Sequence, residues 1–335
     1  MNITNHNIQI TNKSQLPKLK YHKPFRSLCI VYCLLFVICV LGFPSWAVGQ
    51  AGLDIAVLKA GVGARALGMG SAFTAVADNC DAPYWNPAGL SQTKNYQLTA
   101  MQTKLSTDAD HYYVSYTMPF LYGGLGMSWI QIGMGSITQT SATTDAFNDV
   151  QSLGIFSYFS NAYLLAYGQN ITDNVSIGLT AKYLTSDMPG LISVEGGSAY
   201  GYSVTPGILY KPTPNLSIGF KIDEFVNSQK WGTDTEEIAP SKYRLGLAYL
   251  SSIYSYPLLL SADLSQVNKE GYVGEAGAGA ELTMGQIAFR LGYTDANLTA
   301  GAGFRQDHIG IDYAYVTQTS LSKDNVHRVS LTGLW

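Results

Sequence analysis

The chain has 335 residues, of which 47% are hydrophobic and only 13% charged, where a domain exposed to water on all sides carries about 25% charged residues. A net charge of −3 and a pI of about 5.9 provide no clustered basic face, which argues against a nucleic-acid partner. No run in the body of the chain reaches the roughly 18 apolar residues of a membrane helix, so the apolar residues go either into a large β-protein in water or into a transmembrane β-barrel, where alternation hides them from a mean hydropathy of +0.06.

Residues 1–49 read as a targeting segment. Lys18, Lys20, Lys23 and Arg26 form a basic region, Leu28 to Phe43 an apolar run, and Ala47-Val48-Gly49 a small-residue site with cleavage before Gln50. A retained membrane anchor is the alternative. A lipoprotein signal is disfavoured because Ile38, before Cys39, is large. Cys29, Cys33 and Cys39 fall in this segment and Cys80 alone follows it, so no intramolecular disulfide, cysteine metal site or cofactor is predicted.

Residues 50–94 do not alternate. They run Gly61-Val-Gly63-Ala-Arg65-Ala-Leu-Gly68-Met-Gly70-Ser-Ala-Phe73 to Asp78, then Ala82-Pro-Tyr-Trp85-Asn86-Pro87-Ala-Gly89. Small residues allow this backbone to approach other backbones closely. Asn86 is a capping type and Pro87 suits a first helical position. Gly61-x-Gly63-x-x-Ala66 mimics a dinucleotide fingerprint, but nothing around it reads as the parallel strand–helix–strand unit such a fingerprint needs.

From residue 95 to 335 the sequence alternates with period two and turn residues interrupt it. Val175, Ile177, Leu179, Ala181 and Tyr183 share one face; Ser176, Gly178, Thr180 and Lys182 share the other. Roughly fourteen segments follow, starting near 95, 110, 122, 155, 174, 199, 214, 241, 256, 272, 285, 297, 308 and 326. The strand charges Lys182, Lys221, Asp223, Lys242, Arg244, Asp263, Glu275, Glu281, Arg290, Arg305, Asp312 and Arg328 all occupy the polar phase. A barrel in lipid must obey this rule, and a one-sided sheet in water obeys it too. Connections after even-numbered segments are tight. Those after odd segments are mostly long (134–154, 186–198, 224–240, 319–325), with short ones near 267–271 and 295–296. That parity favours a barrel with its short turns in the periplasm. The last segment alternates and stops on Trp335, like the assembly signal of outer-membrane barrels, which makes outer-membrane lipid and the barrel-assembly machinery predicted partners. The predicted fold is therefore all-β, an antiparallel transmembrane barrel of about fourteen strands over residues 95–335.

The stretch from Gly61 to Leu90 resembles the opening of the PorV/PorQ family of FadL-like outer-membrane proteins, and 210–220, 243–249, 311–316 and 327–331 resemble later parts of it. Asn79-Cys80 departs from the family's acidic or small residues. The resemblance implies a fourteen-stranded barrel in the outer membrane of a diderm bacterium, with residues 50–94 as a lumenal hatch whose motif residues are Gly63, Arg65, Gly68, Gly70, Asp78, Trp85, Asn86, Pro87 and Gly89. Arg65 and Asp78 would pair in the lumen or face solvent at the periplasmic mouth.

On resemblance, the leading function is a part in type IX-like secretion or surface export, with secreted cargo or secretion components as partners. The alternative is FadL-like passive transport of hydrophobic, fatty-acid-like molecules. The loops 134–154 and 224–240 offer Phe147, Asn148 and Trp231 as partner contacts, or are simply solvated. An enzyme is disfavoured: after the targeting segment only His111, His308 and His327 remain, with no nucleophile elbow. The carboxylates of 233–237 read more readily as a solvated loop than as a metal site.

Overall fold

The computed structural model describes residues 55–105, 109–144, 149–192, 197–233, 236–269, 274–295, 297–317 and 325–335. The targeting segment, Phe147 and Asn148 lie outside the described residues.

Alternation builds the wall. Its strands are β1 (Gln97–Lys104), β2 (Asp110–Phe120), β3 (Gly123–Thr144), β4 (Val150–Asn170), β5 (Val175–Asp187), β6 (Ser198–Thr213), β7 (Leu216–Asp223), β8 (Val226–Trp231), β9 (Glu236–Glu237), β10 (Lys242–Ile253), β11 (Tyr256–Val267), β12 (Glu275–Met284), β13 (Ile287–Thr294), β14 (Asn297–Gln306), β15 (Ile309–Val316) and β16 (Val326–Leu334). All pairings are antiparallel. β1 pairs with β16 and β5 with β6, so the sheet closes with fourteen strands, β8 and β9 standing outside the count. At the seam, the Tyr96 and Trp335 backbones exchange hydrogen bonds of 3.0 and 3.1 Å, so the aromatic end of the chain is held against the start of the first strand.

Leu179, Leu245, Leu291, Leu298 and Leu331 point outward and are exposed, while Lys182, Lys221, Asp263, Glu281, Arg290, Asp312 and Arg328 point inward and are buried. This is the inverse of a protein in water: apolar side chains on the outside, charges within. Every connection at one rim is short (121–122, 171–174, 214–215, 254–255, 285–286, 307–308), and the longer ones gather at the other rim.

Two segments read as loops are strand. Most of 134–154 extends the β3–β4 hairpin, paired as far as Thr144 and Val150. Its pairing slips between Met134 and Ile137 and again at Gln139 and Thr140, and those irregularities break the period-two pattern by which a strand is recognised. Trp231, read as a loop aromatic, lies in β8 and is half-buried. β6 pairs first with β8 and then with β7; pairing stops between Val204–Val226 and Gly207–Lys221. Pro206 has no N–H to donate there, and Glu224 takes φ +55°, which turns its carboxylate into the lumen.

A charge on the outer face tests the orientation. Leu291→Arg is expected to weaken folding into lipid vesicles by about 2–4 kcal/mol, read by denaturant titration. A loss within about 0.5 kcal/mol, as for an ordinary water-exposed position, would place that face in water.

Candidate functional site

The lumen is filled by residues 55–94. They form three short helices, α1 (Ala56–Lys59), α2 (Ala64–Gly68) and α3 (Ala82–Trp85), and a 3-10 helix, Pro87–Gln92. Glycines with positive φ at Gly61, Gly63 and Gly70 interrupt the helices. Gly63 has φ +76°, and a Cβ there would lie 2.1 Å from Asp81 Oδ2. Gly70 has φ +62°, and a Cβ would lie 2.5 Å from the carbonyl oxygens of both Ala278 and Tyr293. The wall answers with glycines of its own. A Cβ on Gly178, Gly219, Gly279 or Gly292 would stand within 2.3 Å of the backbone of Pro87, Thr74, Met69 or Gly70. A strand glycine weakens a sheet unless another backbone must come close, and here one does.

The largest fully buried side chains include Trp85, Phe73, Met69 and Leu90 of the hatch with Tyr113, Ile130, Leu184 and Leu209 of the wall. Trp85 Nε1 donates to the Val62 carbonyl (3.0 Å). Asn86 caps as expected: its Oδ1 accepts from Ala88 N (3.1 Å), while its Nδ2 donates to the carbonyls of Thr74 (2.8 Å) and Ile208 (3.1 Å), tying the hatch to β6. Pro87 follows at the first helical position. Gly68 packs on Gly301, and Gly89 lies against the Ala77 carbonyl.

Arg65 and Asp78 are partners, Nη1 to Oδ1 at 2.6 Å. The pair belongs to a longer chain of charges. Arg65 also donates twice to Glu281 (both 2.8 Å), Arg290 Nε reaches Glu281 Oε2 (2.5 Å), and Arg290 Nη1 reaches Asp312 Oδ1 (2.8 Å). Burial opposes the Arg65 charge, but Asp78 and Glu281 overcome it and hold its pKa above the ordinary arginine value. The guanidinium also lies over the Phe73 ring at 5.4 Å. On β11, next to the strand of Glu281, Asp263 Oδ2 accepts from the backbone N–H groups of Phe73 (3.2 Å) and Thr74 (3.0 Å), and on β16 Arg328 donates to the Ala60 carbonyl (2.9 Å).

Cys80 of the hatch is buried, and its thiol donates to the Ser115 carbonyl (3.0 Å). Burial pushes its pKa up to about 11, so the protonated, unreactive thiol prevails at neutral pH. Asp81 beside it is 2% exposed, and burial pushes its carboxyl up to about 6.

Two cavities flank the hatch and share no lining residue. One, of about 260 Å³, opens toward the rim of long connections. Its floor is Leu58, Leu67, Tyr84 and Trp85 of the hatch, and its walls carry Lys182, Asp223, Glu224, Lys242, Arg244 and Glu275. The other, of about 310 Å³, lies toward the short turns, with Arg65, Asp78, Glu281 and Lys211 among Val76, Leu250 and Leu259. Phe73 stands between, edge-on to Trp85 (6.2 Å) on one side and under Arg65 on the other.

Every hatch residue singled out from the sequence thus lies in one lumenal assembly. Trp231 does not belong to it, and Trp335 sits 57% exposed at the seam. Sequence reasoning missed Glu281, Asp263 and Glu224 as hatch and cavity residues. The first two were visible as inward-phase charges without a reason to be charged; Glu224 was hidden in a segment read as loop.

No family model and no curated protein matches the chain. Solved structures do. The Ralstonia pickettii toluene transporter TbuX aligns at a TM-score of 0.53 and 16% identity over 82% of this chain and 98% of its own. The Pseudomonas putida toluene transporter TodX aligns at 0.54 and 13% over 81% and 96%, and the CymD monoaromatic hydrocarbon channel at 0.54 and 12% over 85% and 99%. At these identities the likeness shows the fold, a closed fourteen-stranded antiparallel barrel, and these neighbours are transporters and a channel.

Gly70→Ala is expected to loosen the hatch, because the new Cβ meets two wall carbonyls and the backbone is left-handed. Trypsin should then cut at Arg65 in the folded, unboiled barrel where it spares the original chain; equal resistance would show that this contact does not hold the hatch. Asp81→Asn tests the buried acid. A carboxyl whose folded pKa, about 6, exceeds its unfolded value of about 3.9 contributes stability that is full below the unfolded value and lost as pH rises through the folded one. The variant should therefore gain on the original between about pH 4 and 6 and stay ahead above it, by on the order of 2–3 kcal/mol. A pH-independent difference in midpoint denaturant would refute the assignment.

Proposed function

We propose that the chain is an outer-membrane channel of FadL-like type that passes small, ring-sized apolar or amphipathic molecules, with residues 55–94 as its barrier. The observation that carries this reading is the stack of two separate cavities on either side of a thin aromatic layer, Phe73 and Trp85, inside a closed barrel. A structural plug needs no cavity on either side; a route has one before and one after its barrier. The full-length likeness to toluene transporters supports the same reading. The rim of long connections faces outward and the short turns face the periplasm, in keeping with barrels generally. Trp335, next after β16 and hydrogen-bonded to Tyr96 at the seam, is the residue the barrel-assembly machinery would read. The export role suggested by the PorV/PorQ resemblance gains nothing from the comparisons, and no feature of the described wall favours it.

Passage then requires the hatch to shift. A Cβ on Gly68 would lie 3.6 Å from Ala314 Cβ, within the roughly 3.5–4.5 Å that a disulfide spans. In cells expressing Gly68→Cys/Ala314→Cys, uptake of labelled phenol and of labelled toluene, whichever the unaltered protein admits, should fall to the level of cells without the barrel when oxidised and recover on reduction. Uptake by the unaltered protein no faster than by an unrelated barrel would overturn the channel reading; uptake indifferent to the cross-link would overturn hatch movement as its gate.

A further inference from the structure

The outward cavity is not built like a hydrocarbon site. Pockets for apolar molecules are lined mainly by apolar side chains with a few placed polar groups. Here only the floor is apolar: Leu58 and Leu67, with Tyr84 and Trp85 packed edge-on at 5.1 Å. The wall above is charged and already paired. Lys182 Nζ reaches Glu224 Oε1 at 2.7 Å, Lys242 pairs with Glu275, and the Arg244 guanidinium lies over the Trp85 ring at 5.6 Å, on the floor's own edge.

We infer that this cavity binds a neutral single-ring aromatic molecule carrying hydroxyl substituents, its ring on the partly exposed Leu58 and Tyr84 of the floor, backed by the buried Trp85, and its hydroxyls on the paired charges of the wall. The inference rests on the channel reading and names the class of molecule the channel takes. Three physical points select that class. Size comes first: about 260 Å³ lies below the roughly 300 Å³ at which sites for drug-sized ligands begin, a volume matched by one ring. Polarity comes second. A plain hydrocarbon would strip water from the wall and return no hydrogen bond, which a buried polar group pays for in free energy. A hydroxyl donates to a carboxylate and accepts from an ammonium at once, so it joins an ion pair without breaking it. Charge comes third. A ligand carboxylate would have to compete with Glu224 and Glu275 for lysines they already hold, in a wall that also presents Asp223 and Asp263.

The rim pair Lys242–Glu275 makes the idea testable, because Glu275 is the more exposed partner, its side chain 44% accessible. Binding to the full-length protein in detergent would be followed by fluorine NMR with three probes: 4-fluorophenol, fluorobenzene and 4-fluorobenzoate. The first should bind saturably and about tenfold or more tightly than the second, and the third should not bind. Glu275→Gln frees Lys242 and is expected to admit 4-fluorobenzoate. Ala239→Trp, which fills the cavity from its rim, should abolish saturable binding of every probe and separates the cavity from detergent partitioning. Fluorobenzene binding as tightly as 4-fluorophenol overturns the inference and leaves the channel reading intact, as does 4-fluorobenzoate binding to the unaltered protein. If no probe binds saturably, or Ala239→Trp changes nothing, the cavity is not a site; uptake of phenol and toluene, measured separately, then decides whether the channel reading falls with it.

Discussion

The structure depends on backbone meeting backbone across the lumen. A fourteen-stranded barrel is too wide for its own side chains to fill, and this one is filled by a segment of its own chain. That segment has no long helix and no sheet edge through which to bind, so it approaches the wall where one partner lacks a Cβ: Gly70 against β12 and β13, Pro87 against Gly178, Thr74 against Gly219. The small residues of the hatch and the glycines inside the strands are two halves of one contact. Either half alone would look like a weakness, a helix that cannot extend or a strand with gaps in its packing.

Burying a strip of backbone inside a barrel also buries its polar groups, and the inward charges answer that demand. Asp263 takes two hatch N–H groups, Arg328 gives to a hatch carbonyl, and Arg65 enters a line of alternating charges ending at Asp312. Removing one member of such a line leaves its neighbour uncompensated in a dry place, a loss of about 3–5 kcal/mol in comparable buried pairs. The charges therefore fix the hatch in one register, while the glycine contacts set how close it sits.

The wall was legible in the sequence because its rule is simple. Alternation sorts every residue to lipid or lumen, and the strand starts fall within a few residues of their expected places, from Asp110 to Val326. It failed where the strand itself is irregular. The slips in β3–β4 and the turn of the backbone at Glu224 both shift the phase, and a phase shift reads as the end of a strand. The hatch residues were identified by resemblance and small size, but their partners were not. Arg65 and Glu281 stand 216 residues apart, and nothing local to either marks the other. A charge in the lumen phase announces that something polar lies opposite it without saying what. Trp231 shows the converse case: an aromatic amid polar residues reads as loop, yet its segment pairs with β6 as a strand.

The same contacts that close the lumen constrain how it could open. A hatch held by side chains alone could yield gradually, one rotamer at a time. A hatch seated on glycine backbones has no such slack: displacing Met69 or Gly70 by the width of a methyl group would remove the fit with β12 and β13 and would stretch the Arg65–Glu281 contacts of 2.8 Å. On the channel reading proposed above, seated and unseated would be two distinct arrangements rather than ends of a continuum, as expected of closely packed interiors. Phe73 stands between the two cavities. It is edge-on to Trp85, which floors the outward cavity, and beneath Arg65, which lines the inward one. A molecule on the outward floor therefore lies one aromatic ring from the charge line that keeps the barrier in place.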